Sequence, residues 1–346
     1  MNLRERTVEL LPRPAIRLFA GPYVAGDSMA AALAKARDLA NTGVASTIDV
    51  LGEDASSVGD VEHYIEIYTN LIAAIANDHR FNKLTEPLRP SISLKPSSFV
   101  VAPKDQAGLI LNPGAVDWDG CATAVARVVG TAVAHHVRAT VDMENHQWTD
   151  FTLQVHQRLF AQHGRGVGTV LQSRLHRTAA DVEALPDGCR IRLCIGIYDE
   201  PSEIALTDMA GMKKQMLPLA RRLLQKNVFV EFATHDLPLI HRFVHEVVIP
   251  NGIGPGRFET QTLLGVPRQH LIHQLTTGRY FAGLNGAPGE AAALQNGIVH
   301  RLYVPFAEDW DRAIAYSRRR LRHSPNLFWT GFVNAPRVLY YSLFGK

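Results

Sequence analysis

The segment Arg-Leu-Cys-Ile-Gly-Ile-Tyr-Asp-Glu, residues 192–200, has the pattern of a buried strand that ends in polar side chains. Its apolar run is too short for a globular helix, and Tyr198, Asp199 and Glu200 follow where a strand would leave its sheet. In parallel α/β proteins, ligands bind at the carboxyl ends of the strands. We therefore expect the residues after this strand, and after its neighbours, to carry the function.

Similar apolar and β-branched segments recur along nearly the whole chain, and stretches with helical spacing separate most of them, as at 64–75 and 209–223. Alternation of single strands with single helices predicts right-handed crossovers and a parallel sheet. Eight such units in 346 residues fit a closed (β/α)8 barrel, which typically needs about 250 residues plus insertions. A doubly wound open sheet is the competing architecture. The eight strand candidates are 44–51, 92–94, 137–141, 167–171, 191–198, 228–233, 258–264 and 298–304.

The composition indicates one large globular domain. Hydrophobic residues make up 46% of the chain and charged residues 20%, with a formal net charge of +3, which argues against disorder and against a nucleic-acid partner. Three cysteines without metal-ligand spacing favour a reducing compartment. The N-terminus lacks the apolar core of a signal peptide, and no run reaches the roughly 20 apolar residues of a membrane span. We expect a cytoplasmic protein with a single domain over 1–346, in which 1–20 is an N-terminal extension.

Polar residues follow the strand candidates at the points where a barrel would open. The lysine and the arginine among them are suited to binding an anion. The carboxylates are suited to orienting those cations or to contacting an amine. Any single one of them has an equally simple interpretation as an ion pair near a loop. Their recurrence at one end of the strands is what favours a site. The residues are Asp49 with Glu53, Lys95, Asp142 with Glu144, Gln172, Arg192 with Tyr198, Thr234 with His235, Glu259 with Gln261, and Tyr303.

The last helix candidate carries the densest basic cluster, at 318–320. At 100° per residue, Arg319, Arg320 and His323 project on the side opposite its apolar arc. Two guanidinium groups bind a small carboxylate bidentately if this face covers the barrel mouth. A solvated basic helix face is the alternative, and the pattern alone leaves both open.

Other motifs are weaker. His241 and His245 stand at i and i+4 but have no matching third ligand, so we predict a pair on a helix surface and no metal site. Glycines at 164, 166 and 168 lead into a strand candidate instead of a helix, which argues against a Rossmann phosphate loop.

Nine short motifs, in the order of the chain, together resemble the proline dehydrogenase family. That resemblance covers about residues 20–330 and implies a distorted (β/α)8 barrel whose last helix covers the mouth. It also implies FAD as cofactor and oxidation of L-proline to 1-pyrroline-5-carboxylate, the first step of proline catabolism to glutamate. The motifs are Ile-Asp-Val-Leu-Gly-Glu at 48–53, Ile-Ser-Leu-Lys at 92–95, Asp-Met-Glu at 142–144, Leu-Gln at 171–172, Arg-Leu-x-x-Gly-x-Tyr at 192–198, Ala-Thr-His-Asp at 233–236, Phe-Glu-x-Gln-x-Leu-x-Gly at 258–265, Tyr-Val-Pro-Phe at 303–306 and Arg-Arg-Leu at 319–321.

The resemblance also implies roles for individual residues. Lys95, Arg319 and Arg320 would bind the substrate carboxylate, with Asp142 positioning the basic groups. Tyr198, Leu193 and Tyr303 would pack around the five-membered ring, and the tyrosine at 303 favours unsubstituted proline. Contacts to FAD are implied for Gln172, Arg192, Gly196, Thr234, His235, Glu259 and Gln261.

The implied reaction transfers a hydride from C5 of proline to N5 of the flavin, and a membrane quinone then reoxidises the cofactor. This implies peripheral contact with the inner face of the membrane. The sequence predicts no particular oligomeric state.

Two positions depart from the family pattern: Ile195 stands where a lysine is usual, and His323 where a glutamate is usual. We therefore expect weaker binding of proline or a shifted substrate. The alternatives are a flavin-dependent dehydrogenase for another cyclic or N-substituted amino acid, and a regulatory barrel without flavin.

Overall fold

The eight strand candidates form one closed barrel, in a computed structural model that describes residues 21–52, 54–284 and 287–308. All neighbouring strands are parallel, and the last strand pairs with the first, from Ala45 opposite Arg301 to Leu51 opposite Ala307. This closure confirms the barrel and excludes the open sheet. The strands are β1 Ala45–Leu51, β2 Ser91–Leu94, β3 Ala139–Val141, β4 Val167–Gln172, β5 Arg190–Cys194, β6 Phe229–Ala233, β7 Phe258–Leu263 and β8 His300–Ala307.

Helices alternate with the strands, as the spacing predicts, and the apolar positions of 64–75 and 209–223 each fall within one helix. Within the described ranges, no helix combines the length and the apolar character that crossing a membrane requires. The helices are α1 Met29–Ala40, α2 Val58–Asn77, α3 His79–Asn82, α4 Trp118–Ala134, α5 His146–His163, α6 Thr178–Ala184, α7 Met209–Gln225, α8 Leu237–Arg242 and α9 Gln269–Thr276, and a π-helical segment, Phe243–Val248, continues α8.

Short polar residues fix where the helices begin, on the same side of the barrel where the strands end. The Ser57 hydroxyl accepts a hydrogen bond from the backbone of Asp60, whose carboxylate in turn accepts from the backbone of Ser57. Asn145 and Asp208 cap α5 and α7 in a similar way, through their side-chain oxygens. Each such cap stabilises a helix by about 1 kcal/mol and sets the path of the chain at the barrel mouth.

Outward-facing strand residues pack against the helices and form the apolar core. Leu193, Phe232 and Leu171 are fully or almost fully buried there, and the ring of Phe232 stacks on that of Phe243 at 4.1 Å between centroids. Burial of each such side chain contributes roughly 1.5–3 kcal/mol. Because side chains alternate along a strand, the positions between these residues face into the barrel, where the polar residues lie.

Some expectations are corrected. The strand predicted at 191–198 ends at Cys194, because Gly196 adopts a φ of 102° that interrupts an extended chain. His241 and His245 are exposed, with ring centroids 4.1 Å apart and the ring planes tilted by 40°, as predicted for a helix-surface pair. Glu53, the last helix candidate and the N-terminal extension at 1–20 lie outside the described residues, and the single-domain interpretation of 1–346 stays a prediction.

Candidate active site

Two buried ion pairs fill the amino-terminal end of the barrel. Arg190 pairs with Glu231, and Arg301 Nε donates to Glu259 Oε1 at 2.7 Å. Arg301 also donates to the carbonyl of Pro87, ahead of β2, at 2.6 Å. Glu259 is the second residue of β7 and is fully buried in this layer. The expectation that it projects at the mouth with the other polar residues is therefore wrong, because it is the counter-charge of Arg301 at the opposite end.

One layer closer to the mouth, three side chains converge on Asp142. Its Oδ1 accepts hydrogen bonds from Arg192 Nη1 at 2.6 Å and from Ser93 Oγ at 2.6 Å. Its Oδ2 accepts from the Tyr303 hydroxyl at 2.9 Å. The Arg192 guanidinium also lies 5.3 Å from the centre of the Tyr303 ring, within range of a cation–π interaction. The sequence predicted Asp142, Arg192 and Tyr303 at one site, and the structure places them together in this cluster.

Gln261 links the two layers. Its Oε1 accepts from Arg192 Nε at 2.8 Å, and its Nε2 donates to Glu231 and Glu259, both at 2.7 Å. Burial lowers the pKa of Arg192, but the carboxylates of Asp142 and Glu231 more than offset this and raise it. Burial raises the pKa of Glu231, but Arg190 and Arg192 bring it down to about 2. Arg192 is therefore a permanent cation, and the amide of Gln261 is engaged in holding it.

Lys95 forms a second buried ion pair beside this cluster. Its Nζ lies 2.7 Å from Asp49 Oδ2, and both side chains are buried. Burial raises the pKa of Asp49 to about 6, against the lowering effect of Lys95 and together with the nearby charge of Asp142. Lys95 thus presents a cation at the carboxyl end of β2 while Asp49 compensates part of its charge.

Three polar atoms near the ends of β4 and β5 are buried and have no hydrogen-bond partner among the residues that the structure describes. They are Gln172 Oε1, Arg174 Nε and Arg192 Nη2, one acceptor and two donors. A buried polar group that lacks a partner costs about 1–3 kcal/mol, so native proteins keep such groups where a ligand or water satisfies them. The family resemblance implied Gln172 and Arg192 as cofactor contacts.

The backbone at Gly196 comes close to the same side chains. A Cβ atom built there would lie 2.2 Å from Gln172 Oε1 and 2.9 Å from Arg174 Cδ, and the φ of 102° disfavours any other residue. The flavin of FAD presents acceptor nitrogens and carbonyl oxygens as well as one ring N–H. Among the described residues, the site has one unsatisfied acceptor and two unsatisfied donors, and the backbone of Gly196 lies close to these side chains. This set of groups matches the pattern of the flavin, so the residues present fit the group.

The remaining predicted residues are distributed around this region. Thr234 follows β6 and accepts a hydrogen bond from the backbone of Asp236 at 3.2 Å. The carbonyl of His235 accepts from Arg268, and the carbonyl of Tyr198 accepts from Arg174. Leu193 does not face the barrel interior, because it alternates with the inward-facing Arg192 and is fully buried against the helices. The expected contact of Leu193 with a substrate ring is corrected accordingly, and Arg319, Arg320 and His323 lie outside the described residues.

Sequence reasoning missed several residues that build the site. Ser93 shares the inward face of β2 with Lys95, and alternation along the strand was the signal that could have found it. Arg174 stands two residues beyond Gln172, where no pattern marked it. His146, at the start of α5, was not marked either, and it meets Glu200 of the loop after β5 at 2.5 Å between Nδ1 and Oε2, a contact that only the folded chain reveals.

Sequence comparisons identify relatives of this chain. The family model described as proline dehydrogenase matches residues 32–192. The proline dehydrogenase of Deinococcus radiodurans is 30% identical, over 92% of this chain and 90% of its own length. Proline dehydrogenase 1 of Bacillus subtilis strain 168 is 27% identical, over 89% of this chain and 88% of its own length. Both relatives therefore match along nearly their whole sequences.

Solved structures share the architecture. The proline utilization A protein of Bdellovibrio bacteriovorus, inactivated by N-propargylglycine, aligns with a TM-score of 0.73 at 19% identity. The alignment covers 88% of this chain and 32% of that chain, so this chain spans about a third of the larger protein. A mutant of the Bradyrhizobium japonicum protein of the same name aligns with a TM-score of 0.66 at 21% identity. At these identities the likeness establishes the barrel fold.

Proposed function

Since the chain belongs to the proline dehydrogenase family, we propose that it oxidises L-proline to 1-pyrroline-5-carboxylate with FAD as cofactor. The family makes it an oxidoreductase of proline catabolism. The observation that carries the finer proposal is the cluster around Asp142, where Arg192, Ser93 and Tyr303 converge on one buried carboxylate. Such a rigid polar cluster at the carboxyl end of a barrel holds a small charged substrate in one orientation.

The substrate carboxylate binds to cations at the mouth in this proposal. Lys95 supplies one of them, and its pairing with Asp49 holds the ammonium group in place at the end of β2. Arg319 and Arg320, outside the described residues, complete the carboxylate site. Tyr303 packs against the five-membered ring while its hydroxyl stays bonded to Asp142, so the tyrosine presents an apolar face whose orientation is fixed.

The cofactor site is formed by Gln172, Arg192 and Gly196, with Thr234 and His235 contributing from the end of β6. FAD held by these residues would supply, at its N5 atom, the acceptor for the hydride that leaves C5 of proline, and the substrate nitrogen, bound as the free amine, would lose its proton to give the imine. Arg192 remains cationic throughout, because two carboxylates hold its pKa high. It stabilises negative charge next to the cofactor and donates from an otherwise unsatisfied N–H.

We further propose a membrane quinone as the electron acceptor. The protein would then be cytoplasmic and would contact the inner face of the membrane peripherally. The family's use of such an acceptor supports this part of the proposal.

The test is an assay of purified protein reconstituted with FAD, with L-proline and a soluble quinone analogue as substrates and mass spectrometry of the product. The proposal expects 1-pyrroline-5-carboxylate, formed in step with reduction of the quinone analogue. A parallel panel of other cyclic and N-substituted amino acids separates the alternative. Turnover of one of those, with none of proline, would keep the flavoenzyme but refute the substrate.

A further inference from the structure

Arg174 is a buried cation whose hydrogen bonds are incomplete. Its side chain is 8% exposed, and its Nη1 donates to the carbonyl of Tyr198. Its Nε is buried and has no hydrogen-bond partner among the described residues. Backbone hydrogen bonds to Ile195 and from Leu206 hold the residue itself in place. The main chain is thus well anchored while one face of the guanidinium group remains unsatisfied.

The unsatisfied Nε belongs to a group of atoms with complementary roles. Gln172, two residues earlier, uses its Nε2 to donate to the carbonyl of Glu144 at 2.9 Å, and its buried Oε1 has no partner within the described part of the chain. Gly196 lies between the two side chains, since the Cβ that it lacks would collide with both. An acceptor, Gln172 Oε1, and a donor, Arg174 Nε, therefore belong to side chains that both lie against Gly196, and among the described residues neither atom has a hydrogen-bond partner.

We propose that Arg174 is a cofactor-binding residue that recognises the imide edge of the flavin ring together with Gln172. In that edge, a ring N–H stands between two carbonyl oxygens. Gln172 Oε1 accepts from the ring N–H, and Arg174 Nε donates to a neighbouring carbonyl oxygen. This inference rests on the proposed use of FAD and assigns to it a residue that neither the sequence motifs nor the family likeness singled out.

The two contacts of Arg174 have different consequences. The bond from Nη1 to Tyr198 fixes the loop after β5 in the protein with or without cofactor. The bond from Nε is made only when the cofactor is bound, so it changes cofactor affinity and the relative stability of the reduced flavin. A cation beside the ring stabilises the reduced, more negative form. A purely structural role would change the stability of the cofactor-free protein instead.

The test compares the wild-type protein with Arg174→Met, Arg174→Lys and the control Arg177→Met. Arg177 is three residues away and forms ion pairs with the exposed Asp150 and the buried Asp181, so its loss removes an arginine from the same segment without touching the proposed contact. The dissociation constant of FAD is measured by calorimetry on cofactor-free protein. Urea unfolding of the same cofactor-free samples and the midpoint potential of the bound flavin complete the comparison.

We expect the Met variant to bind FAD about tenfold to a hundredfold more weakly, the usual effect of losing a charge-assisted hydrogen bond, and to have a lower midpoint potential. The control should match the wild type in FAD affinity and midpoint potential. The Lys variant keeps the charge and a donor for Tyr198 but lacks the Nε–H, so it should fold and still bind FAD more weakly. Equal FAD affinity and potential in all four proteins would overturn the inference, and so would a loss confined to cofactor-free stability. If the wild type itself does not bind FAD, the proposed function fails first.

Discussion

Asp142 is the residue on which the polar groups of the site converge, so its substitution is the most informative single change. In Asp142→Asn, the side chain keeps its shape but no longer neutralises Arg192. We expect kcat/KM for proline to fall by about a hundredfold, the upper range for one lost charge-assisted hydrogen bond. Steady-state kinetics of the reconstituted enzyme measure it.

The comparison for that change is Tyr303→Phe, which removes an uncharged donor to Asp142 Oδ2 and leaves the carboxylate opposite Arg192 in place. A decrease of about tenfold or less is expected there. If Asp142→Asn keeps wild-type kcat/KM, the cluster does not orient the substrate.

His156 makes the protein sensitive to acid. It is fully buried, both ring nitrogens lack a hydrogen-bond partner among the described residues, and burial together with Arg190 lowers its pKa from 6.5 to about 4. Between those values the unfolded chain takes up a proton that the folded chain does not. The stabilisation is therefore complete above pH 6.5 and is lost as the pH falls towards 4.

In His156→Leu, the loss of unfolding free energy between pH 7.5 and pH 5 should be smaller than in the wild type by about 2 kcal/mol, because 1.5 pKa units lie in that window. Urea unfolding at the two pH values measures this difference. His300, whose pKa burial lowers to about 3, is present in both proteins and cancels in the comparison. An unchanged pH dependence in the variant would show that His156 is not neutral in the folded protein.

Glu200 links two secondary-structure elements, because it bonds the loop after β5 to the start of α5. Its Oε1 accepts from the backbone N–H of His146 at 2.8 Å, and its Oε2 meets His146 Nδ1 at 2.5 Å. A carboxylate at a helix N-terminus also interacts favourably with the helix dipole. The same loop carries Gly196 and Tyr198, so this contact fixes the segment next to the proposed cofactor site.

Glu200→Gln should loosen that loop. We expect faster limited proteolysis between 195 and 208 and a rise in KM of several-fold, with a smaller change in kcat. The matched control is Glu203→Gln, because Glu203 is exposed on the same loop. Equal proteolysis rates in both variants would show that the loop is held by other contacts.

The sequence patterns predicted most of the strands, because each pattern reflects a physical constraint on the chain. Apolar periodicity located all eight strands to within a few residues, because burial against the helices imposes it. It overextended β5, since the apolar Ile195 and Ile197 continue the pattern beyond the turn at Gly196.

The ends of the predicted strands also indicated which polar residues share the site. They predicted Asp142, Lys95 and Arg192 at one mouth of the barrel. The same reasoning misplaced Glu259, although its place as the second residue of the strand candidate 258–264 already indicated the amino end, where it pairs with Arg301.

At the scale of the whole molecule, ion pairs fill a barrel interior that branched apolar residues usually fill. Arg301 is the best test of their contribution, since it is 1% exposed and bonded to Glu259. Arg301→Met removes the arginine bonded to that buried carboxylate and leaves it Gln261 as a hydrogen-bond donor, which should lower the free energy of unfolding by about 3–5 kcal/mol. The control is Arg127→Met, an exposed arginine 3.4 Å from Glu62, where about 0–1 kcal/mol is expected. Similar values for both variants would contradict the importance of the interior pairs.

The central claim is that this barrel holds FAD and transfers electrons to it from proline. The most direct measurement is an anaerobic absorbance scan of the purified protein, reconstituted with FAD, before and after addition of L-proline. Our account predicts an oxidised-flavin spectrum that bleaches when proline is added. A flavin spectrum that persists would contradict proline as the substrate, and the absence of any bound flavin would contradict the oxidoreductase itself.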